Sequence, residues 1–373
     1  MEEKQTIVLF YDYFRNVHFG KDVFLAPYFL GKQLSYNVKI VYLRCEEELP
    51  HIYKGVELVP IGNKSQWVSR IFYCFYLIFN ANKIDVMMRF HLKRYTYLLV
   101  ILYKLFNPKG KAYVKSDIDP MDIKSDAKPG FWMSILLKIF KKNLNVLSCE
   151  TSASYDKMKM SSSPYFNFGE KLTLMPNGFD ENIIKELNIH LNNFSEKENV
   201  MITIGRLGTY QKNTRMILDA LEKVNMSLWK CYLIGSIEDS FLPEIEDFYR
   251  RNPDKKNNVI FTGPISDKKV LFNFYNKSKL FLLTSNFEGS PLVLPEAKRL
   301  KNYIITTKVG AAPDLLEGGK CGDIINFNDS QTLSEKIQAI IDNKTDIDVY
   351  KNYDMRPLSW EYCVISTAEA LSK

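Results

Sequence analysis

The sequence predicts an α/β protein built from two doubly wound domains. Three observations lead there. Through the first half, apolar runs of strand length alternate with helix-length stretches. A polar stretch rich in Asn, Glu and Lys interrupts the pattern at 181–199. A second strand–helix series then opens at residue 200.

In chain order, 6–11 is a compact apolar run that fits a buried parallel strand. The polar loop with His18, Phe19, Gly20 and Lys21 follows, then a helix over 23–34 and a strand over 38–43. Further strands are expected at 85–88, 112–115, 145–149 and 172–175, with helices such as 93–106 and 131–142 between them. The chain turns at Pro176-Asn177-Gly178. In the second series the strands are 200–204, 230–234, 259–261, 280–283 and 303–306. In such folds ligands bind at loops on the carboxyl ends of the strands.

Composition narrows the class. The chain has 373 residues, enough for two cores, and 46% hydrophobic with 25% charged residues excludes a largely disordered chain. A net charge of +7 is too mild for a nucleic-acid binder and suits anionic substrates or an anionic membrane surface. Cys45, Cys74, Cys149, Cys231, Cys321 and Cys363 are scattered without metal-ligand spacing, as free thiols in a reducing compartment are. The N-terminal residues lack a signal peptide's apolar core, and the longest apolar runs, 71–79 and 95–103, are too short to cross a bilayer. A cytoplasmic protein is expected.

Two segments carry chemistry. Gly205-Arg206-Leu207-Gly208 follows the strand 200–204, and Lys212 precedes a helix over 214–224. Glycine turn, two cations and helix N-terminus suit a diphosphate, whose charge Arg206 and Lys212 offset. A bland strand-to-helix turn with surface cations is an equal reading. The second segment is Asn286-Phe287-Glu288-Gly289-Ser290-Pro291-Leu292-Val293-Leu294-Pro295-Glu296-Ala297, in which seven residues separate two glutamates. Gly289 and Ser290 form a turn fit to hold a phosphate, and a helix starting near Pro291 or Leu292 aims its N-terminus at the same place. Glu296, a turn into that helix, then faces a diol such as a ribose. Two solvated glutamates flanking a helix cap remain the alternative.

This segment resembles the E-x(7)-E motif of family 4 of the retaining glycosyltransferases. Phe261-Thr262-Gly263-Pro264-Ile265 is similar to the loop that borders the nucleobase there, and Lys308-Val309-Gly310-Ala311-Ala312-Pro313-Asp314 and 319–325 to its glycine-containing stretches. Asn177-Gly178-Phe179-Asp180 resembles the end of the N-terminal domain, and Ser359-Trp360-Glu361 the start of a final helix that crosses back onto it. The resemblance implies the GT-B fold, two Rossmann-like domains facing across a cleft. The acceptor domain would span 1–180 with a returning segment 355–373, and the nucleotide-sugar domain 181–354. It implies retaining, metal-independent transfer from a nucleotide sugar, UDP- rather than GDP-linked, to a glycan or lipid-linked acceptor in polysaccharide assembly. Arg206 and Lys212 would bind the diphosphate, Glu288 the transferred sugar and Glu296 the ribose. Gly263 and Ile265 would border the base. Gly289, Ser290, Pro291 and Leu292 would surround phosphate and sugar, although Pro291 has no N–H to donate. No cofactor is expected, since the nucleotide sugar is a substrate.

Acceptor-side candidates are His18, Gly20, Lys21, His91 and Asp117. Phe19-Gly20 stands where relatives have a glycine pair, Lys115-Ser116-Asp117 where many have a histidine, and Asn302 where a glycine is usual and an Asn C-cap is feasible. Asp117-Ile118-Asp119 matches a metal-binding D-x-D but reads better as an acidic loop, and no cluster shows metal spacing. No G-x-G-x-x-G follows the first strand, against a dinucleotide oxidoreductase. The stretch 131–142 is basic and amphipathic, with Phe131, Ile135, Ile139 and Lys142 on one side, fit for a core helix or an anionic membrane surface. Rival functions are a non-catalytic glycan- or nucleotide-binding protein and a sugar phosphorylase or hydrolase.

Overall fold

Strand alternation decides how each core is built. Along β1 (Thr6–Tyr11), Ile7 and Leu9 join one apolar cluster while Val8 and Phe10 join another, so the strand is buried on both faces. In β9 (Glu198–Ile204), Met201 and Ile202 divide in the same way. The computed structural model describes residues 4–62, 70–226 and 228–373. The chain divides into two units, Met1–Gly178 with Ser359–Lys373, and Phe179–Leu358. The leader reading concerned residues 1–3 in part, and these lie outside the described residues.

The first unit holds β2 (Asn37–Leu43), β3 (Ile52–Tyr53), β4 (Val56–Ile61), β5 (Val86–Phe90), β6 (Lys111–Ser116), β7 (Val146–Cys149) and β8 (Leu172–Leu174) besides β1. Their order is β3-β4-β2-β1-β5-β6-β7-β8, and every pairing is parallel except β3 with β4. The helix Asp22–Leu34 and the returning C-terminal helices cover one face, through Phe24, Phe29, Trp360 and Leu371. Helices Ile71–Asn80, Arg94–Phe106 and Phe131–Asn143 cover the other, through Tyr73, Leu77, Tyr103 and Phe140.

In the second unit β10 (Lys230–Ile234), β11 (Val259–Gly263), β12 (Ser278–Leu283), β13 (Tyr303–Thr307) and β14 (Gly322–Ile325) join β9. The order is β11-β10-β9-β12-β13-β14, all parallel. Each sheet therefore has a point where successive connections change direction, beside β1 in the first and beside β9 in the second. Side chains at carboxyl ends converge there.

Several sequence expectations need correction. The polar stretch 181–199 is part of the second unit. It starts with the helix Asn182–Glu186, buries Ile189, and ends in β9. Its Lys197 ammonium donates to the carbonyls of Asn276, Ser278 and Leu300 at 2.7–2.9 Å. Most polar residues of the stretch, such as Lys185, Glu186, Asn193 and Glu196, are exposed, but Ile189 and Lys197 anchor it to the second unit. The hairpin β3–β4 was not anticipated, because its two-residue turn, Lys54-Gly55 with φ of 49° and 81°, lacks the usual Asn or Asp. At the end of the helix Val293–Arg299 the left-handed residue is Lys301, not Asn302. Asn302 lies one residue on, its N–H bonded to the Ala297 carbonyl and its side-chain amide to those of Tyr275 and Ser278. In the helix Phe131–Asn143 both faces are used. Met133, Leu136, Leu137 and Phe140 pack inward, while Phe131 and Trp132 are 72% and 81% exposed.

The segment from Ser359 completes the first unit. Trp360 is fully buried and stacks on Phe29, with centroids 6.2 Å apart. A Cβ on Gly178 would lie 2.6 Å from the Trp360 nitrogen, so only glycine lets the chain pass. The units divide at Gly178 and Leu358 rather than at 180 and 354, because Phe179 donates its N–H to the Leu358 carbonyl and buries its ring beside Phe272. Trp360→Ala should cost the first unit about 3–5 kcal/mol. Urea unfolding of the full chain checks this, and a loss below about 1 kcal/mol would place the tryptophan outside the core.

Candidate functional site

The carboxyl ends of β9 and β12 meet at the point in the second sheet where the connections change direction. The loop after β9 approaches the one after β10 so closely that a Cβ on Gly235 would lie 1.7 Å from the Gly205 oxygen. The β9 loop then crosses to the loop after β12. Asn286 donates its N–H to the Gln211 carbonyl at 2.8 Å and its amide to that of Tyr210 at 2.6 Å. Thr284 Oγ1 donates to the Lys212 carbonyl at 3.2 Å.

Glu288 is the centre of this junction. Its Oε1 lies 2.5 Å from Lys212 Nζ and accepts from Ser285 Oγ at 2.9 Å, while Oε2 accepts from Gln211 Nε2 at 3.2 Å. Arg206 is exposed and donates through Nη2 to Gln211 Oε1 at 2.8 Å. Both cations named from the sequence thus reach the first glutamate, Lys212 directly and Arg206 through Gln211. The loop after β13 closes the junction: Gly310 donates its N–H to the Glu288 carbonyl at 3.0 Å, and a Cβ there would lie 2.1 Å from the Gly289 oxygen. Gln211 and Ser285 were not singled out from the sequence. Their signal was position alone, one residue before Lys212 and three before Glu288.

Pro291 and Leu292 lead into the helix Val293–Arg299, so Glu296 lies about one turn in, as expected. It does not touch Glu288. Its Oε2 accepts from the Tyr275 hydroxyl at 2.7 Å, and burial pushes the carboxyl up to about 7 against the opposing hydrogen bond. Gly263 ends β11 with φ of 72° and open space where a Cβ would stand, and Ile265 packs partly against the adjoining core.

In the first unit His18, Gly20 and Lys21 lie between β1 and the helix Asp22–Leu34. His18 Nδ1 accepts from the Arg15 N–H at 2.8 Å, and burial and then Lys21 lower its ring below the usual value. It works as a packed cap. His91 follows β5 with φ of 66°, and its Nδ1 lies 2.5 Å from Asp117 Oδ1 beyond β6. Burial tends to raise Asp117, but the His91 hydrogen bond outweighs it and holds the carboxyl below the ordinary value. Asp119 instead accepts from the Met121 N–H, so the two aspartates do not converge. Deeper lies a cluster the sequence did not reveal. Lys115 is fully buried, paired with Glu150, 3.6 Å from Asp22 and 3.0 Å from Asn177 Oδ1. Burial opposes its charge, yet the Glu150 and Asp22 carboxylates hold the ammonium above its usual value.

Comparison with known proteins adds to this geometry. Residues 185–355 match the family described as glycosyl transferases group 1. The amylovoran biosynthesis glycosyltransferase AmsD of Erwinia amylovora is 26% identical over 152 residues, 40% of this chain and 40% of that protein. The capsular polysaccharide biosynthesis glycosyltransferase CapM of Staphylococcus aureus is 31% identical over 118 residues, 31% of this chain and 29% of that one. The chain thus spans two fifths or less of the length of these curated relatives. Along 100% of both chains it is similar to the crystal structure of Anabaena HepE in complex with UDP and glucose, with a TM-score of 0.66 at 15% identity, a likeness of fold. With two Rossmann-like parallel sheets and that likeness, the chain has the GT-B fold, and residues 185–355 of its second unit are similar to the glycosyl transferases group 1.

Proposed function

We propose that the chain is a retaining glycosyltransferase that works without a metal ion. It takes a sugar from a nucleotide-linked donor, UDP- rather than GDP-linked, and passes it to a glycan or lipid-linked acceptor in cell-surface polysaccharide assembly. The observation that carries this reading is the Lys212–Glu288 junction, with Arg206 beside it, at the carboxyl ends of β9 and β12. Relatives named for amylovoran and capsular polysaccharide synthesis support the setting, and the UDP complex of HepE supports the nucleotide.

The chemistry follows from charge. Breaking the bond from the anomeric carbon to the diphosphate leaves negative charge on the leaving oxygens, which Arg206 and Lys212 stabilise. Glu288 keeps Lys212 in place and offers its carboxylate to sugar hydroxyls. The resemblance to retaining glycosyltransferases implies the rest: the acceptor hydroxyl attacks the anomeric carbon from the face the diphosphate leaves, and its proton passes to a diphosphate oxygen. No protein nucleophile is needed. Glu296 receives the ribose diol.

Among the described residues no helix is long and apolar enough to cross a membrane. The outward face of the helix Phe131–Asn143, with Phe131, Trp132 and Ile139 beside Lys138 and Lys142, suits contact with an anionic bilayer at the cytoplasmic surface.

Hydrolysis of a panel of UDP- and GDP-sugars, with and without EDTA, tests the reading. Slow release of sugar from a UDP-sugar, unchanged by the chelator, is expected. Release only with free phosphate would mark a phosphorylase, and tight nucleotide binding without any turnover a binding protein. Lys212→Met should lower turnover about 100-fold with folding intact. A variant as fast as wild type would remove Lys212 from the site.

Glu296 gives a pH signature. Ribose hydroxyls donate to the carboxylate, so binding favours its ionised form and releases a proton near pH 7. Affinity for UDP-glucose should rise about tenfold from pH 6 to 8 as the carboxyl ionises from its raised value of about 7. Calorimetry with wild type and Glu296→Gln checks this, since the glutamine variant should show no such rise. An equal rise in both proteins would exclude Glu296 as the titrating group.

A further inference from the structure

In the first unit a cavity of about 370 Å³ opens where β1 and β5 end, beside the change of direction in that sheet. Its lining is unbalanced in charge: Arg70, Arg89, Lys93 and Arg94 face one carboxylate, Asp12. Arg89 is only 7% exposed. Its Nη1 donates to the Phe10 carbonyl at 2.7 Å and to Asp12 Oδ1 at 3.0 Å. Arg70 Nε takes the other Asp12 oxygen at 3.1 Å. Two guanidinium groups thus share one carboxylate. Among the described residues Arg89 Nε, buried, has no hydrogen-bond partner.

A buried cation with a free donor is costly unless something anionic meets it. Three further features favour an anion. Lys93 and Arg94 are exposed at the rim, so their charge is available without rearrangement. The helix Arg94–Phe106 starts at the cavity and brings its positive end there. Both guanidiniums are held over Tyr95, 5.4 and 5.6 Å from its ring, and the Tyr95 hydroxyl donates to the Arg70 carbonyl at 2.5 Å. The cationic wall is therefore fixed in advance. The remaining lining is aromatic, with Tyr11, Tyr13 and Phe90, of which Tyr13 is 46% exposed. Aromatic faces take the C–H face of a sugar ring, and planar guanidinium groups take phosphate oxygens.

We propose that this cavity binds a sugar phosphate, with the phosphate on Arg70, Arg89 and the rim cations and the ring against the tyrosines. The role as acceptor pocket rests on the transferase reading, whereas the binding itself does not. The chemistry is shared by a free sugar phosphate and by a sugar linked through phosphate to a lipid.

Calorimetry on the full chain, first saturated with UDP to fill any nucleotide site, separates these cases. The probes are a hexose 1-phosphate, its dodecyl phosphodiester below its micelle concentration, and the neutral methyl hexoside. The phosphorylated probes should bind at least 30-fold more tightly than the neutral one. Tighter binding of the dodecyl ester points to a lipid-linked source, and equal or tighter binding of the hexose 1-phosphate to a free one. Arg70→Gln and Arg94→Gln should each weaken the phosphorylated probes at least tenfold, and both leave UDP affinity unchanged. Equal binding of charged and neutral probes, or no effect of either substitution in folded protein, overturns the proposal. If UDP itself does not bind while the sugar phosphates do, the transferase reading fails and the pocket stands.

Discussion

The Lys212–Glu288 ion pair is the contact on which the second unit's site depends. It lies 2.5 Å long between loops that belong to different strands, β9 and β12. Both side chains are largely shielded, with 17% and 10% exposure, so screening by water is reduced. Without Glu288 the lysine would lose its ion-pair partner among the described residues. Without Lys212 a shielded carboxylate would be left facing Ser285 and Gln211 only. The backbone bond from Asn286 to Gln211 holds the two loops at the separation the pair requires, and that from Gly310 to Glu288 ties the loop after β13 to them. In the proposed reaction, such an arrangement, organised before any ligand arrives, is what electrostatic stabilisation of a leaving group needs.

The first unit repeats the principle with another residue set. Arg89, Arg70 and Asp12 occupy the carboxyl ends beside β1, as Lys212 and Glu288 do beside β9. In both units parallel strand order opens a crevice at one place and the sequence puts charge there. The buried Lys115–Glu150–Asp22 group is of a different kind. With Lys115 and Glu150 buried and Asp22 partly exposed, it ties β6, the end of β7 and the first helix together.

The sequence made the two α/β series legible because buried parallel strands are short, apolar and evenly spaced. The strand 230–234 coincides with β10, and 6–11 with β1. The β3–β4 hairpin escaped notice since β3 is two residues long and its turn chemistry is atypical. The stretch 181–199 reads as a linker because most of its polar residues are exposed, and the anchors that tie it to the second unit, Ile189 and the buried Lys197 bonded to backbone carbonyls, do not stand out in a composition count. At the site, Arg206, Lys212 and Glu288 were visible as residues whose types carry charge beside glycine turns. Gln211 and Ser285 were not, because a neutral side chain shows its role only once the facing loop is in place. The Asp12–Arg70–Arg89 group joins positions 12, 70 and 89, and no local pattern links residues so far apart.

The central claim is that the loops on the carboxyl edge of the second sheet hold the donor nucleotide. Hydrogen–deuterium exchange with and without saturating UDP-glucose tests it most directly. The account predicts slowed exchange in residues 205–213, 262–266 and 286–297, with the strands beneath them unchanged. Protection absent from all three segments, with UDP-glucose bound, would contradict it.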